Sequence, residues 1–209
     1  MARRNYISNF KEDLESFGYL RPYLRVYDEK DIILFSSKYK DERGVLSNFW
    51  ASSVPLPWRG KYYNSVEQMI ISSYIEDNCN PKYKEELDRV LELIYNCKDG
   101  KEVKGNEEIQ KLYKKVRAET IEKVGEENWD LQDWKVSSAA IKVKYDHCPE
   151  FREYVDAHKD KFFCEDSYWK EFPKAGVLLV TDKNCPFYGK YIGANYTGIA
   201  IQMCVSDKK

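Results

Sequence analysis

The stretch that decides the fold is Ser65-Val-Glu-Gln-Met-Ile-Ile-Ser-Ser-Tyr74, which follows a turn-rich segment and begins a helix. Asn64 or Ser65 can cap this helix at its first turn. Glu67 or Gln68 then lies where a capping box places its acidic or amide side chain. The apolar residues recur at helical spacing and predict one buried face, formed by Val66, Met69, Ile70 and Tyr74.

Before this helix, the sequence predicts one short helix and one strand. Ile7, Phe10, Leu14 and Phe17 recur at helical spacing, with Ser8 or Asn9 as the cap and Gly18 as the stop. After Pro22 the chain becomes extended, and the apolar run 31–36 is typical of a buried strand. We therefore interpret residues 1–30 as an N-terminal helical extension and residues 31–209 as the main domain.

After this helix, a highly charged stretch is followed by further helical segments and then by an apolar, glycine-rich segment. Residues 82–127 contain 23 charged side chains in 46 positions, and they predict two solvated helices joined around 100–105 as a charged helical insertion. Two further helices are predicted over 134–144 and 149–161, and a buried strand over 175–181, followed by a glycine-rich segment. The expected fold class is α+β: a single, mainly helical domain with a few short strands.

Composition narrows the function classes. The chain has 209 residues, 43% hydrophobic and 33% charged, which suits a folded domain and argues against a disordered chain. Its apolar runs are too short for a membrane helix and no secretory signal opens it, so we expect no membrane partner and a cytoplasmic location, or the host-cell cytoplasm if the protein is viral. The net charge of −1 differs from the strongly positive charge that nucleic-acid binders usually carry. A local basic groove is still compatible with this charge.

Metal and nucleophile chemistry have little support in the sequence. The six cysteines are scattered with no C-x-x-C pair, and there are only two histidines. This pattern argues against a zinc site and against a histidine-activated nucleophile, so we expect neither a metal nor a cofactor. Aromatic residues are in excess, with 17 tyrosines among them, and some of these rings are expected to face a ligand.

Five segments, taken in order, resemble the NADAR (YbiA-like) family over residues 32–204. They are Gly44-Val-Leu-Ser-Asn-Phe49, Ser65-Val-Glu-Gln68, Asp133-Trp134 with Lys144-Tyr145, Phe187-Tyr-Gly189, and Gly193-Ala-Asn-Tyr-Thr-Gly198. The resemblance implies a YbiA-like domain that hydrolyses an N-glycosidic bond without a metal. The implied substrate is a riboflavin-pathway intermediate or ADP-ribose attached to a nucleobase of nucleic acid, as in reversal of toxin or phage-defence ADP-ribosylation.

The resemblance also assigns catalytic carboxylates. Glu67 matches the family's catalytic glutamate, and such bonds break through an oxocarbenium-like sugar that a carboxylate stabilises. The alternative for Glu67 is the acidic arm of a capping box. Cys185 stands where the family has an aspartate, so Asp182 is the candidate second carboxylate, with an ordinary strand-end acid as the alternative. Further departures from the family pattern are Gln68 for a histidine, Val180 for a glutamate and Tyr188 for a tryptophan.

Other residues are expected to bind the nucleotide. Trp134 would stack on a base, with core packing as the alternative. Asn48 and Asn195 would bond to ribose or phosphate, with turn geometry as the alternative, and Lys144 would contact a phosphate unless it is simply solvated. The remaining candidates for the pocket wall are Phe49, Cys185, Tyr188 and Gly189.

Two rival functions stay open at this point. One is a catalytically impaired module that binds ADP-ribose or a similar nucleotide, which Cys185 favours. The other is an interaction protein that uses the charged helices of the insertion. The oligomeric state is not predicted.

Overall fold

The computed structural model describes residues 6–15, 18–167 and 174–206. The described residues are 59% helical and 14% strand, with small sheets, which confirms the predicted α+β class. It divides into two compact units, one formed by residues up to Gly44 together with those from Tyr154 onward, the other by residues 45–153.

The elements follow in chain order. The N-terminal segment contains β1 (Tyr6–Ile7), α1 (Phe10–Glu15), β2 (Arg25–Tyr27) and β3 (Ile32–Phe35). The middle of the chain contains β4 (Leu56–Trp58), β5 (Lys61–Tyr63), α2 (Val66–Asn78), α3 (Lys84–Asn96), α4 (Gly100–Gly105), α5 (Glu107–Val124), α6 (Glu126–His147) and α7 (Pro149–Ala157). The C-terminal segment contains β6 (Phe162–Glu165), β7 (Leu178–Val180), β8 (Tyr191–Gly193) and α8 (Tyr196–Ser206).

Helix α2 is the centre of the 45–153 unit. The predicted face is buried as expected, but so is every other residue from Val66 to Ile75. Ser72 and Ser73 bury their hydroxyls by donating hydrogen bonds to the carbonyl of Met69. A helix that is buried on all sides lies inside its unit, and α3, α4, α5 and α6 all contact it.

The charged insertion forms the predicted pair of helices, α3 and α5. Their apolar stripes, which include Val90, Ile94, Ile109, Leu112 and Val116, are buried. The connection between them is helical as well, because Asp99 caps α4 through two backbone N–H groups. Helix α6 begins at Glu126, well before the predicted start at residue 134, directly after Gly125 adopts a φ of 83°.

The other unit is built on a four-stranded sheet of order β1-β7-β8-β2. Strand β1 runs parallel to β7, and the other two pairs are antiparallel. The predicted strand within 31–36 is β3, which pairs in parallel with β6, and the strand predicted over 175–181 is the shorter β7. The apolar segment that ends the chain forms α8, which packs against β6.

The N-terminal prediction was wrong in part. Ile7 is a strand residue, because its backbone pairs with Val180 and its side chain is fully buried. The helix begins at Phe10 after the expected cap Asn9, and the side chain of Leu14 and the whole of Phe17 lie outside the described residues. Strands β1 and β2 share a sheet with β7 and β8, so residues 6–7 and 25–27 pair with the C-terminal part of the chain.

Candidate functional site

The first turn of α2 is capped by two residues that flank Glu67. The hydroxyl of Ser65 accepts a hydrogen bond from the N–H of Gln68 at 3.4 Å. In return, Oε1 of Gln68 accepts from the N–H of Asn64 at 3.0 Å and from the Ser65 hydroxyl at 3.1 Å. The capping box is therefore completed by Gln68, and the capping alternative for Glu67 is not needed.

Gln68 also joins two helices. Its Nε2 donates to the carbonyls of Ile94 at 2.9 Å and Cys97 at 2.7 Å, at the end of α3. All of its polar atoms are thus used inside the protein. Gln68 therefore has a structural role.

The Glu67 side chain is enclosed beside one lysine. The residue is only 6% exposed, and its Oε1 lies 3.1 Å from Nζ of Lys104, a half-exposed side chain on α4. Its backbone N–H donates to the carbonyl of Asn48 at 3.0 Å. The positive end of the α2 dipole adds a further favourable interaction for a carboxylate in the first turn. The structure thus presents a nearly buried carboxylate with a cation at its outer side.

Gly100 allows the start of α4 to approach Glu67 closely. A Cβ atom at position 100 would lie 2.7 Å from both Cβ of Glu67 and Cα of Phe49. The N–H of Gly100 donates to the carbonyl of Phe49 at 3.2 Å. Two of the predicted site residues, Asn48 and Phe49, are therefore next to Glu67 through their backbones, and both are half-buried.

Lys144 does not occupy the predicted position facing a phosphate. It is 1% exposed, and its Nζ donates to the carbonyls of Val45 at 2.6 Å and Ser47 at 2.9 Å. Burial lowers the pKa of Lys144 to about 7. Its ammonium lies 4.7 Å from the ring centre of Phe151. Lys144 therefore holds the loop that leads to Asn48.

An aromatic cluster that the sequence analysis missed continues from Glu67 along α2. The ring of Tyr74 lies 4.9 Å from that of Trp129 and 6.2 Å from that of Tyr113. Nζ of Lys104 lies 5.8 Å from the centre of the Tyr113 ring, which links the cluster to the ion pair of Glu67. The sequence feature that could have indicated this cluster is the spacing of Glu67 and Tyr74, which lie two turns apart on one face of the helix.

Asp133 closes this cluster on α6. It accepts a hydrogen bond from the hydroxyl of Tyr74 and one from Ser137 at 3.3 Å. Burial and the neighbouring carboxylate raise the pKa of the Tyr74 hydroxyl well above its ordinary value, so Tyr74 remains a protonated donor. Trp134 follows Asp133 on the helix and is half-buried, and its role as a stacking platform stays a prediction.

The remaining candidates belong to the other unit, where Asp182 acts as a cap. Its Oδ2 accepts from the N–H of Phe10 at 3.1 Å, at the start of α1. Its Oδ1 accepts from the N–H of Asn184 at 3.0 Å. Both oxygens therefore stabilise backbone turns, which is the role expected of an ordinary strand-end acid.

Cys185 packs in an apolar cluster and does not line a polar pocket. It is 7% exposed among Ile7, Leu178, Val180 and Ile192. Its sulfur accepts a hydrogen bond from the N–H of Phe187 at 3.4 Å. Tyr188 points outward and is exposed, and Gly189 has a φ of 77° that completes the turn before β8.

Asn195 is buried directly before α8, where its backbone has a positive φ and its side chain bonds within the protein. It has a φ of 55° and is 1% exposed. Its Nδ2 donates to the carbonyl of Phe163 at 2.8 Å, and its Oδ1 accepts from the N–H of Glu165 at 3.3 Å. These bonds tie the start of α8 to β6, and they occupy both ends of the amide.

Two further observations concern the described residues only. No group of three His, Cys, Asp or Glu side chains comes together there in a way that could hold a metal ion. No helix in residues 6–15, 18–167 and 174–206 has the length and apolar character needed to cross a membrane.

No protein-family model matches the chain, and no curated protein is significantly similar to it.

Proposed function

We propose that this protein hydrolyses the N-glycosidic bond of a ribosyl or ADP-ribosyl conjugate, with Glu67 as the main carboxylate. The observation that carries the proposal is that Glu67 is 6% exposed although its helix is capped by Ser65 and Gln68. Burying a carboxylate costs free energy, and helix capping does not require it here. A functional role explains why it is retained, and the resemblance to the NADAR family indicates which one.

The chemistry needs a carboxylate beside the anomeric carbon. As the C–N bond breaks, its electron pair leaves with the nitrogen of the base, and positive charge develops on the sugar. Glu67 would stabilise this charge and accept a proton from the attacking water, and that proton would then pass to the leaving nitrogen. The ring of Tyr113 is half-buried and lies 5.8 Å from Nζ of Lys104, the partner of Glu67, so it would offer apolar surface near a bound base.

The test is hydrolysis by the pure protein and by Glu67→Gln. The substrates are oligonucleotides with ADP-ribosylated guanine or thymine, NAD, and phosphoribosyl-amines, and mass spectrometry detects the released base or sugar. The matched control is Glu76→Gln, because Glu76 lies on the same helix but faces Arg59 at 3.7 Å on the surface. We expect Glu67→Gln to lose about 100-fold or more in rate and Glu76→Gln to stay close to wild type. Equal rates for wild type and Glu67→Gln would contradict the proposal.

A nucleotide-binding module without hydrolysis is the second candidate. The observation that favours it lies in the late segment of the resemblance, where Cys185 is packed in an apolar cluster and both oxygens of Asp182 bond to backbone N–H groups. Neither residue offers a carboxylate with an unused oxygen. Thermal stabilisation by ADP-ribose without any product from the substrates above would support this candidate over the enzyme.

A further inference from the structure

A basic groove lies beside α4 and along one face of α5, outside the residues assigned to the reaction. It has a volume of about 470 Å³ and is lined by Lys104, Gly105, Glu107, Gln110, Lys111 and Lys114. The α5 residues among these recur at helical spacing, on a face separate from the buried stripe of Ile109, Leu112 and Val116. Three lysines and one glutamate give the groove a net charge of +2.

Two of these lysines have no counterion within the part of the chain that the structure describes. The side chains of Lys111 and Lys114 make no ion pair or hydrogen bond there, and both residues are exposed. The adjacent Lys115 is different, since its Nζ lies 3.6 Å from a carboxylate oxygen of Glu86. Like charges gathered around one depression repel each other, and a bound anion would relieve that repulsion.

Lys104 connects the groove to the candidate catalytic carboxylate. It lines the groove, and its Nζ lies 3.1 Å from Oε1 of Glu67. Gln110 on α5 also lines the groove, and its Nε2 donates a hydrogen bond to the carbonyl of Val103 on α4 at 3.1 Å. An anion bound by Lys111 and Lys114 would therefore lie in the same groove as Lys104, which contacts Glu67.

We propose that this groove binds the phosphate or diphosphate group of the substrate through Lys104, Lys111 and Lys114. Ammonium groups bind phosphate oxygens by charge-assisted hydrogen bonds. The assignment of the anion to the substrate of Glu67 rests on the proposed function, whereas the anion site itself does not. The charged insertion would then contribute part of the binding site.

The test uses the full chain with both groove lysines changed, Lys111→Gln with Lys114→Gln, and titrates pyrophosphate by calorimetry. The control has the same change in net charge at Lys84→Gln with Lys123→Gln, two exposed lysines elsewhere on α3 and α5. We expect the groove variant to bind pyrophosphate about tenfold or more weakly, because it loses two charge-assisted contacts. The control should stay within about twofold of wild type, and melting curves should show that both variants fold.

Several outcomes would overturn the proposal. Equal weakening in both variants would indicate general attraction by net charge, and no weakening in either would place the anion elsewhere. Binding of an unmodified single-stranded oligonucleotide through these lysines, without pyrophosphate binding, would assign the groove to a nucleic-acid backbone instead.

Kinetics separate this proposal from the proposed function. If the groove variant raises KM for an ADP-ribosylated substrate with little change in kcat, both stand. If hydrolysis is present with an unchanged KM, the groove proposal fails and the enzyme stands. If no substrate is hydrolysed but pyrophosphate binding depends on the groove lysines, the anion site stands and the proposed function fails.

Discussion

The buried Lys144 makes the stability of this protein depend on pH in a defined direction. Its ammonium is enclosed and bonds to the carbonyls of Val45 and Ser47. Burial lowers its pKa in the folded protein from the ordinary lysine value of 10.5 to about 7. The perturbation we choose is Lys144→Met, which keeps the length of the side chain and removes the titrating group.

The sign follows from proton counting. Between the folded and unfolded pKa values, the unfolded chain binds more protons at residue 144 than the folded chain, so the free energy of unfolding rises with pH. The cost of burying the charge is fully present below the folded pKa and is relieved as pH rises through it. One proton changes this free energy by about 1.4 kcal/mol per pH unit, so wild type should gain about 2 kcal/mol over Lys144→Met between about pH 7 and about pH 9.

The assay is urea unfolding of wild type and variant at a series of pH values, read as the difference between the two free energies of unfolding. Titrations shared by both proteins cancel in this difference. The control is Lys142→Met on the same helix, whose exposed ammonium pairs with Asp146 and should leave the curve parallel to wild type. A Lys144→Met curve that also runs parallel to wild type would refute the reasoning, and Lys144→Gln serves as a second variant if Lys144→Met does not fold.

Three further predictions concern residues with defined structural roles. Gly100→Ala should destabilise the protein by about 1–3 kcal/mol, measured by urea unfolding, because the added Cβ would lie 2.7 Å from Cβ of Glu67; an unchanged unfolding midpoint would contradict this close approach. Asn195→Ala should lower the melting temperature strongly for two reasons. The buried carbonyl of Phe163 loses its hydrogen-bond donor, and alanine tolerates the φ of 55° at this position less well than asparagine does. Asp182→Ala should cost about 0.5–2 kcal/mol as a lost helix cap and leave the rate of hydrolysis near wild type; a rate loss of several orders of magnitude would instead make Asp182 catalytic.

Local sequence patterns predicted those elements whose signals are contained within a few turns of chain. The cap and apolar stripe of α2 predicted its start, because helix capping and i, i+3, i+4 spacing are local. The charged insertion predicted α3 and α5 in the same way. The prediction that Ile7 belongs to a helix was wrong. Its spacing to Phe10 is helical, but its backbone pairs with Val180, which is far away in the sequence.

At the candidate site, too, local sequence patterns predicted some features and long-range contacts decided the others. The sequence by itself determined the place of Glu67 in the first turn of α2, the α+β class and the charge of the insertion. Only the tertiary structure decided that Gln68 completes the cap and that Lys104 pairs with Glu67. It also decided that Lys144 faces inward to two carbonyls. These contacts join residues that are distant in the chain, and their burial depends on packing that no local pattern encodes.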